Sequence, residues 1–425
     1  MKYMNNKLFD IDFARKLDSK DTLSCYRKEF NFPKFNKQDA IYFTGNSLGL
    51  QLKKYDFYLN QEMEDWSQMG VSGHFDAKTP WVDYHKSLTK GTAKLVGAKE
   101  NEVVTMNGLS VNLHLLLTSF YQPTKIKYKV LCEPQLFPSD LYIIQSQIEL
   151  KGFNPDDAII FIPSDENGVI DEDRLYAIIE AHKDELALIF IGGVNYYTGQ
   201  VFDIEKITKT GHNNNIIVGF DLAHAAGNIE LRLHEWEVDF AAWCSYKYLN
   251  AGPGNVSTVF IHEKQIQKNP FRLSAWWGHQ LKNRFVLQEK FQPLNTAEGW
   301  QLSNAPVLGM SIYRKSIDLF SEIGMSQLIN KRIKLTTYLE DAINASNKVS
   351  SSTHMKIITP GTPEKRGSQL SIFVNKNGQQ LYNNLKSHGV FLDWREPNVM
   401  RMAPVPLYNS FEDIAKFYQV LLKCI

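Results

Sequence analysis

The middle of the chain alternates short apolar runs with longer amphipathic ones, and this alternation restricts its possible folds more than any other feature. Strands that alternate with helices are typical of βαβ units, which build a mostly parallel sheet with helices on both faces. Helical patterns occupy residues 138–150 and 171–182, with Leu175, Ile178 and Ile179 on one face of the second. The predicted strands are residues 102–106, 129–132, 158–162, 186–191, 216–221, 239–244 and 256–261.

The pattern changes after Asn304-Ala305-Pro306. A long amphipathic helix is predicted over residues 306–319, and apolar strands follow at 368–374 and 399–403. We therefore expect an α/β fold with a large domain and a smaller C-terminal α+β domain. The predicted domains are an N-terminal segment packing on the small domain (1–50), the large domain (51–310) and the small domain (311–425).

Composition excludes several classes of protein. Lys plus Arg number 47 and Asp plus Glu 46, and this balance argues against a nucleic-acid binder with a basic face. The hydrophobic share of 43% and the charged share of 22% are ordinary for a packed globular chain. The four cysteines contain no CxxC pair, and no apolar run approaches the roughly 18 residues of a membrane span. We expect a cytoplasmic protein without a bound metal.

Polar residues follow two of the predicted strands. Asp221 ends one strand, and Lys247 follows the next strand, 26 residues later along the chain. Ligands of parallel sheets bind at the carboxyl ends of strands, so both side chains can face one cleft. A lysine that forms a Schiff base and a carboxylate that keeps a pyridine nitrogen protonated suit pyridoxal phosphate. Alone, the pair is better explained by a turn-capping Asp221 and a solvated Lys247.

Two strand-to-helix turns add to this pattern. Asn107-Gly108-Leu109-Ser110 opens a helical run, so backbone amides and the Ser110 hydroxyl could hold a phosphate. An ordinary helix cap is the alternative. Phe137 lies in the second turn and could stack on a pyridine ring, or it could be a core residue beside a capping Ser139 or Asp140.

Motifs spread over nearly the whole chain resemble those of the kynureninase family, which are fold-type-I hydrolases dependent on pyridoxal phosphate. The strongest are DLAHAAGN at 221–228 and WCSYKYLNAG at 243–252. The others are TGNSLGLQ at 44–51, FPSD at 137–140, YYTGQ at 196–200, WGH at 277–279, SNAP at 303–306 and RMAPVPLYNS at 401–410.

The resemblance implies roles for individual residues. Lys247 is the Schiff-base lysine, Asp221 is the partner of the pyridine nitrogen, and Tyr246 either relays protons or only binds the phosphate. Gly192 stands where relatives carry a small polar residue, which removes one hydrogen bond to the cofactor. The implied cofactor-binding residues are Leu109, Ser110, Phe137, Pro138, Ser139, Asp140, Gly192, Asp221, His224, Tyr246, Lys247, Trp276 and Asn304, with Trp276 reaching in from a dimer partner.

The resemblance also implies the substrate contacts. Arg401 matches the arginine that pairs with the substrate α-carboxylate, for which a guanidinium fork is well suited. Ser47, His74 and Asn304 match positions around the aromatic end of the substrate, and the last two favour a 3-hydroxylated ring. Read alone, His74 would be a structural histidine and Arg401 a surface or structural arginine.

The implied reaction is hydrolysis of L-kynurenine to anthranilate and L-alanine, and of 3-hydroxy-L-kynurenine to 3-hydroxyanthranilate and L-alanine. The resemblance also implies a homodimer with shared active sites, and the reaction implies a place in tryptophan catabolism or the biosynthesis of NAD. Lys247 would be the base for the α-proton, since its Schiff base holds it within reach.

Other functions fit the residues less well. A cysteine desulfurase of the same fold would carry His before its lysine, where this chain has Tyr246, and a cysteine in a mobile loop. A dinucleotide enzyme would show GxGxxG after a strand, and a zinc hydrolase would show HExxH spacing. A non-catalytic relative is disfavoured because Lys247, Asp221 and Arg401 are all present.

Overall fold

The computed structural model describes residues 6–286, 289–350 and 353–425. The chain forms two compact units. The central unit comprises residues 55–194 and 202–322, and the terminal unit comprises the described residues up to Lys54 together with 195–201 and 323–425. The sequence predicts limits after residues 50 and 310, whereas the units of the structure change after Lys54 and Glu322, and residues 195–201 leave the central unit altogether.

The eleven helices of eight or more residues are numbered along the chain. They are α1 (Ile11–Asp18), α2 (Asp56–Met69), α3 (Lys86–Val96), α4 (Leu109–Phe120), α5 (Pro138–Leu150), α6 (Glu172–Ala181), α7 (Ile204–Asn213), α8 (Val307–Ile323), α9 (Met325–Asn347), α10 (Gly378–Ser387) and α11 (Phe411–Cys424). Shorter α-helices are Gly73–Asp76, Pro155–Ala158 and Glu263–Gln267. Turns of 3₁₀-helix are Asn6–Phe9, Ser24–Glu29, Gly70–Ser72, Trp81–Asp83, Glu100–Glu102, Trp276–Gly278, Leu281–Asn283, Ala297–Trp300 and Pro363–Lys365.

Local sequence explains where several helices begin. Asp171 and Asp203 accept hydrogen bonds from the first-turn amides of α6 and α7, respectively. Pro138 occupies the first position of α5, where its fixed φ favours a helix and its missing N–H costs nothing. Ser410 and Asp413 form a capping box at the start of α11.

The central unit is built on a seven-stranded sheet, as the sequence predicts. Its strands are β1 (Val103–Met106), β2 (Lys129–Cys132), β3 (Ile159–Phe161), β4 (Leu186–Gly192), β5 (Ile217–Asp221), β6 (Phe240–Cys244) and β7 (Ser257–Ile261), in the order β1-β7-β6-β5-β4-β2-β3. Only β7 pairs antiparallel, with β6 and with β1. The other strands therefore run in one direction and end at one edge of the sheet.

The core of the central unit lies between this sheet and helices α4 and α5. Phe120 and Phe240 stack with ring centroids 4.8 Å apart, and the Trp300 ring lies 6.2 Å from that of Phe120. Each of these three side chains is buried. The stack includes Phe240 of β6, the strand that leads to Lys247.

The terminal unit contains a four-stranded antiparallel sheet. Its strands are β8 (Met355–Ile357), β9 (Leu370–Val374), β10 (Asp393–Arg395) and β11 (Val399–Met402), in the order β8-β9-β11-β10. Helices α9 and α11 pack on it through a core that includes Leu339, Met400 and Phe417. Two-residue strands pair Phe30–Asn31 with Gln51–Leu52, Ile41–Tyr42 with Val390–Phe391, and Lys34–Phe35 with Gln38–Asp39.

No helix in the described part of the chain is long and apolar enough to cross a membrane. Among the same residues the four cysteines are free thiols.

Candidate active site

Lys247 lies in a rigid turn after β6. The Ser245 hydroxyl donates to the carbonyl of Val256 (2.5 Å), and the Ala251 amide donates to the Ser245 carbonyl (3.0 Å). The Asn250 amide closes the turn on the Lys247 carbonyl (3.0 Å). The turn directs the Lys247 Nζ to a point 5.7 Å from the centroid of the Phe137 ring. The lysine and the aromatic ring predicted to stack on the cofactor are therefore neighbours.

Asp221, the last residue of β5, forms a carboxyl pair with Asp140 of the first turn of α5. Burial, and then the charge of Asp221, raises the pKa of Asp140 well above its usual range. Burial also raises the pKa of Asp221, but the charge of Lys247 and the Ala223 amide (2.6 Å) oppose it. The pair therefore shares a proton, while the charge of Lys247 and the Ala223 amide favour the ionised form of Asp221.

Two helices begin close together beside this pair. Gly108 precedes α4 and Phe137 precedes α5, and in the described part of the chain neither helix start has a side-chain cap. The hydroxyls of Ser110 and Ser139 lie 2.8 Å apart, so the two first turns meet. The first-turn amides of α4 and the two hydroxyl groups are suited to a phosphate group, whereas α5 begins with Pro138 and its Asp140 amide already donates to the Phe137 carbonyl (2.9 Å). Leu109 and Pro138 are the first residues of these helices.

Gly192 ends β4 directly beside Asp221 in the parallel pair. Its amide donates to the Glu133 Oε1 (2.9 Å), and a Cβ built on Gly192 would lie 2.9 Å from the same oxygen. Glu133 is buried and its charge adds to the rise in the pKa of Asp140. Because Gly192 has no side chain, the Glu133 carboxylate can lie close to its amide and beside the Asp140–Asp221 pair.

Tyr246 precedes Lys247 and is half-buried. Burial raises the pKa of the phenol, and its hydroxyl hydrogen-bonds to the thiol of Cys244. Burial likewise raises the pKa of Cys244. Both groups are consequently neutral near pH 7, so that Tyr246 is a proton donor rather than a base.

Two further predicted cofactor residues have defined surroundings. His224 is buried, its carbonyl accepts from the Asn228 side chain (2.8 Å), and its ring lies edge-on to Tyr248. Trp276 is 55% exposed, and its indole N–H donates to the Arg284 carbonyl (2.6 Å).

The predicted substrate residues of the central unit lie in loops and short helices. The His74 ring packs edge-on against Trp81 with centroids 5.5 Å apart, and its Nδ1 lies 3.1 Å from the Val71 carbonyl. Asn304 is exposed and precedes α8.

Arg401 and Ser47 belong to the terminal unit. Arg401 lies on β11 and is only 1% exposed. It forms an ion pair with Asp393 and donates to the Tyr196 carbonyl (2.7 Å). Ser47 is half-buried in the turn after Ile41–Tyr42, where its amide donates to the Thr44 carbonyl (2.9 Å).

One cluster elsewhere in the central unit has the residue types of a metal site. Glu102, His234 and His262 place carboxylate and ring atoms within 4.8 Å of one another. The His234 Nδ1 is already bonded to Glu102 (2.9 Å), and the His262 Nδ1 accepts from the Lys264 amide (3.1 Å). The two imidazole rings are stacked rather than convergent. The cluster is therefore a hydrogen-bonded link between loops.

The chain is similar to known proteins over almost its full length. Residues 328–421 match the model of the kynureninase C-terminal domain. A curated kynureninase of Flavobacterium johnsoniae is 51% identical over 417 residues, covering 97% of this chain and 98% of that one. A kynureninase of Myxococcus xanthus is 44% identical and covers 96% of each chain. The chain belongs to the kynureninase family. The family predicted from the sequence motifs is thus confirmed.

Solved structures agree with the predicted fold class. An apo cysteine desulfurase from Thermococcus onnurineus matches with a TM-score of 0.76 over 90% of this chain and 94% of that one, at 18% identity. A cysteine desulfurase from Escherichia coli matches with the same TM-score over 95% and 98%, at 14% identity. At such identities the likeness establishes the fold alone, a fold that the kynureninase family shares with these enzymes.

Sequence reasoning missed two residues of these sites. Glu133 directly follows β2, so the strand-end argument that found Asp221 could also have found it. Asp393 pairs with Arg401 across two strands, and β10 was not among the predicted strands. The sequence therefore carried a signal for Glu133, whereas the role of Asp393 could be recognised only from the pairing of β10 with β11.

Proposed function

We propose that this chain hydrolyses L-kynurenine to anthranilate and L-alanine with pyridoxal phosphate as cofactor. Membership of the kynureninase family supports both the reaction class, a carbon–carbon hydrolase, and the cofactor. The observation that carries the proposal is the meeting of Lys247 Nζ, the Phe137 ring and the Asp140–Asp221 pair at one edge of the sheet.

The residues present fit the cofactor. Ser110 and Ser139, with the first-turn amides of α4, would hold the phosphate. Phe137 would cover one face of the ring, and the Asp221 carboxylate, hydrogen-bonded to Asp140, would keep the pyridine nitrogen protonated. Bound in this way, pyridoxal phosphate supplies a protonated pyridine ring that withdraws electrons from the substrate Cα.

Lys247 is the group that moves the first proton. With pyridoxal phosphate bound, Lys247 would take the proton from the substrate Cα and would return a proton there after the carbon–carbon bond has broken, since the turn after β6 keeps its amine nearby. One water molecule is consumed: its oxygen joins the γ-carbonyl carbon, and the Cβ–Cγ bond breaks to give the carboxylate of anthranilate. Tyr246, whose raised pKa keeps it protonated, would donate the proton that Cβ needs to become the methyl group of alanine.

Substrate recognition is assigned to two groups of residues. Arg401 binds the α-carboxylate through charge-assisted hydrogen bonds. Ser47, His74 and Asn304 bind the aromatic end. We extend the proposal to 3-hydroxy-L-kynurenine, because the polar His74 and Asn304 side chains can hydrogen-bond a ring hydroxyl.

We also propose that the enzyme works as a homodimer with shared sites. An exposed aromatic cluster of the central unit supports this: the Phe285 ring contacts both Phe75 (5.8 Å) and Trp276 (5.5 Å), and all three side chains are exposed. Contiguous exposed apolar surface is typical of protein interfaces. A cytoplasmic location is supported by the four free thiols, and the products fit tryptophan catabolism or the supply of NAD.

The deciding experiment measures cofactor and products in one preparation. The purified protein should be yellow, should lose that absorbance on borohydride reduction, and should release fluorescent anthranilate from kynurenine. Lys247→Ala should abolish the borohydride-sensitive absorbance and reduce turnover by about 10²–10⁴-fold or more. Lys264→Ala, which removes an exposed lysine paired with Glu237, is the matched control and should change neither.

Two outcomes would overturn the proposal. Near-native activity of Lys247→Ala would remove the lysine from the mechanism. A yellow protein that releases no anthranilate or 3-hydroxyanthranilate, but forms alanine from cysteine, would favour the desulfurase reaction of the structural neighbours. The ratio of the rates with the two kynurenines, compared between the wild type and His74→Ala, tests the assignment of the ring hydroxyl.

A further inference from the structure

The guanidinium of Arg401 is held within the terminal unit by groups on two sides. β10 and β11 pair antiparallel with Asp393 directly opposite Arg401. Residues that face each other in such a pair project from the same side of the sheet. The Arg401 Nη2 accordingly donates to the Asp393 Oδ2 in an ion pair.

The second contact comes from the segment 195–201. The Arg401 Nη1 donates to the Tyr196 carbonyl (2.7 Å), and the Gln369 side chain donates to the same carbonyl (2.9 Å). The Ser371 hydroxyl donates to the next carbonyl, that of Tyr197 (2.5 Å). Since β9 and β11 place Ser371 beside Arg401, the segment is fixed to the same face of the sheet.

Burial makes the partner of Arg401 important. The arginine is 1% exposed, and Asp393 has a side chain that is 15% exposed. Burial removes a cation from water, and an opposite charge and well-placed hydrogen bonds are needed to compensate for this loss. Asp393 also accepts from Arg395 (3.1 Å), so its carboxylate is itself held from a second direction.

We propose that Asp393 is a positioning residue for the substrate α-carboxylate. Asp393 holds the Arg401 fork in one orientation before substrate arrives, and together with the Tyr196 carbonyl it determines which edge of the guanidinium is presented to the ligand. Pre-orientation lowers the entropy that binding must overcome. The inference rests on the proposed role of Arg401, and it deepens that role by naming the residue through which the chain prepares it.

The test compares ligands with and without the carboxylate. The holoenzyme is titrated with L-kynurenine and with the analogue that lacks the α-carboxylate, and binding is followed by the visible spectrum. Asp393→Asn should weaken binding of L-kynurenine about tenfold or more and raise KM similarly, with kcat within about threefold. Binding of the analogue should change less than twofold. Asp393→Glu should restore part of the loss, because it keeps the charge.

Arg395→Gln is the matched control. It removes the other ion pair of Asp393, leaves the Arg401 pair in place, and should keep KM within about twofold of the wild type. Equal weakening of both ligands by Asp393→Asn would show a general loss of structure, and unchanged or tighter binding of L-kynurenine would show that the ion pair does not position Arg401. Either result overturns the inference.

Arg401→Ala separates this inference from the proposed function. If Arg401→Ala does not weaken binding of L-kynurenine relative to the analogue, the assigned role of Arg401 itself is wrong. If Arg401→Ala weakens binding selectively and Asp393→Asn does not, only the inference about Asp393 fails. In the double variant Asp393→Asn/Arg401→Ala, the effect on KM should be no larger than that of Arg401→Ala alone.

Discussion

Gly219 and Phe240 pack tightly against each other on β5 and β6, the strands that lead to Asp221 and Lys247, and this packing allows a quantitative prediction. Gly219 lies on β5, two residues before Asp221, and faces Phe240 of β6 in the sheet. A Cβ built on Gly219 would lie 2.1, 2.3 and 2.6 Å from three atoms of the Phe240 ring. Carbon atoms pack at about 3.5–4.0 Å, so the ring would have to retreat by about 1 Å or more. Phe120 and Phe190, stacked at 4.8 and 6.2 Å, restrict that movement.

Gly219→Ala should therefore destabilise the protein. Overpacking of a dense core costs about 1–3 kcal/mol, and replacing glycine within a strand returns about 0.5–1 kcal/mol. Because three ring atoms clash, the upper end of the overpacking range applies, and we expect a net loss of about 2 kcal/mol in the free energy of unfolding, or a Tm lower by about 4–8 °C. Phe240→Leu alone should cost about 1–3 kcal/mol, since it removes two stacking contacts.

The double variant decides whether the ring contact is the cause. In the Phe240→Leu background, where the clashing ring is gone, Gly219→Ala should cost less than about 0.5 kcal/mol, a coupling of about 1.5 kcal/mol. The cycle is measured by thermal unfolding, followed by circular dichroism, of the wild type, the two single variants and the double variant. Equal losses in both backgrounds, or no loss in Gly219→Ala, would refute the reasoning.

Two further changes have expected outcomes. Gly192→Ala places a Cβ 2.9 Å from the Glu133 carboxylate and 3.2 Å from the Val194 carbonyl. It should lower the free energy of unfolding by about 1–2 kcal/mol, measured by thermal unfolding. A loss of the same size in the Glu133→Ala background would show that the contact with Glu133 is not the cause. The hydrogen bond to Asp239 raises the pKa of His212, so its stabilising contribution is complete below about pH 6.5 and is lost as the pH rises through the folded-state pKa. The Tm difference between the wild type and His212→Gln should therefore be larger at pH 6 than at pH 9, and a difference independent of pH would exclude the ion pair.

Strand ends could be found from the sequence because of a general property of parallel sheets. Asp221 and Lys247 follow apolar runs, and parallel topology brings the carboxyl ends of such runs together whatever the details of packing. The helix starts at Ser110 and Phe137 could be found for the same reason, since each follows a strand at that edge. These features depend on the local sequence pattern and on general rules for connecting parallel strands, so a single sequence is enough to predict them.

Contacts set by packing could not be read in this way. The proton shared by Asp140 and Asp221 depends on how α5 lies over the end of β5. The pairing of Asp393 with Arg401 depends on the register of a hairpin, and a shift of one residue would turn Asp393 to the other face. The antiparallel insertion of β7 between β6 and β1 likewise follows from no short-range pattern.

The excursion of residues 195–201 into the terminal unit has a consequence for the synthesis of the protein. Tyr196 lies 205 residues before Arg401, the residue that its carbonyl binds. At about 5–20 residues per second, a ribosome takes about 10–40 s to cover that distance. For most of this interval the backbone carbonyls of Tyr196 and Tyr197 lack the Gln369, Ser371 and Arg401 side chains that bind them in the finished protein. The contacts that surround Arg401 are thus among the last to form as each molecule is synthesised, and a nascent chain halted before β11 cannot contain them.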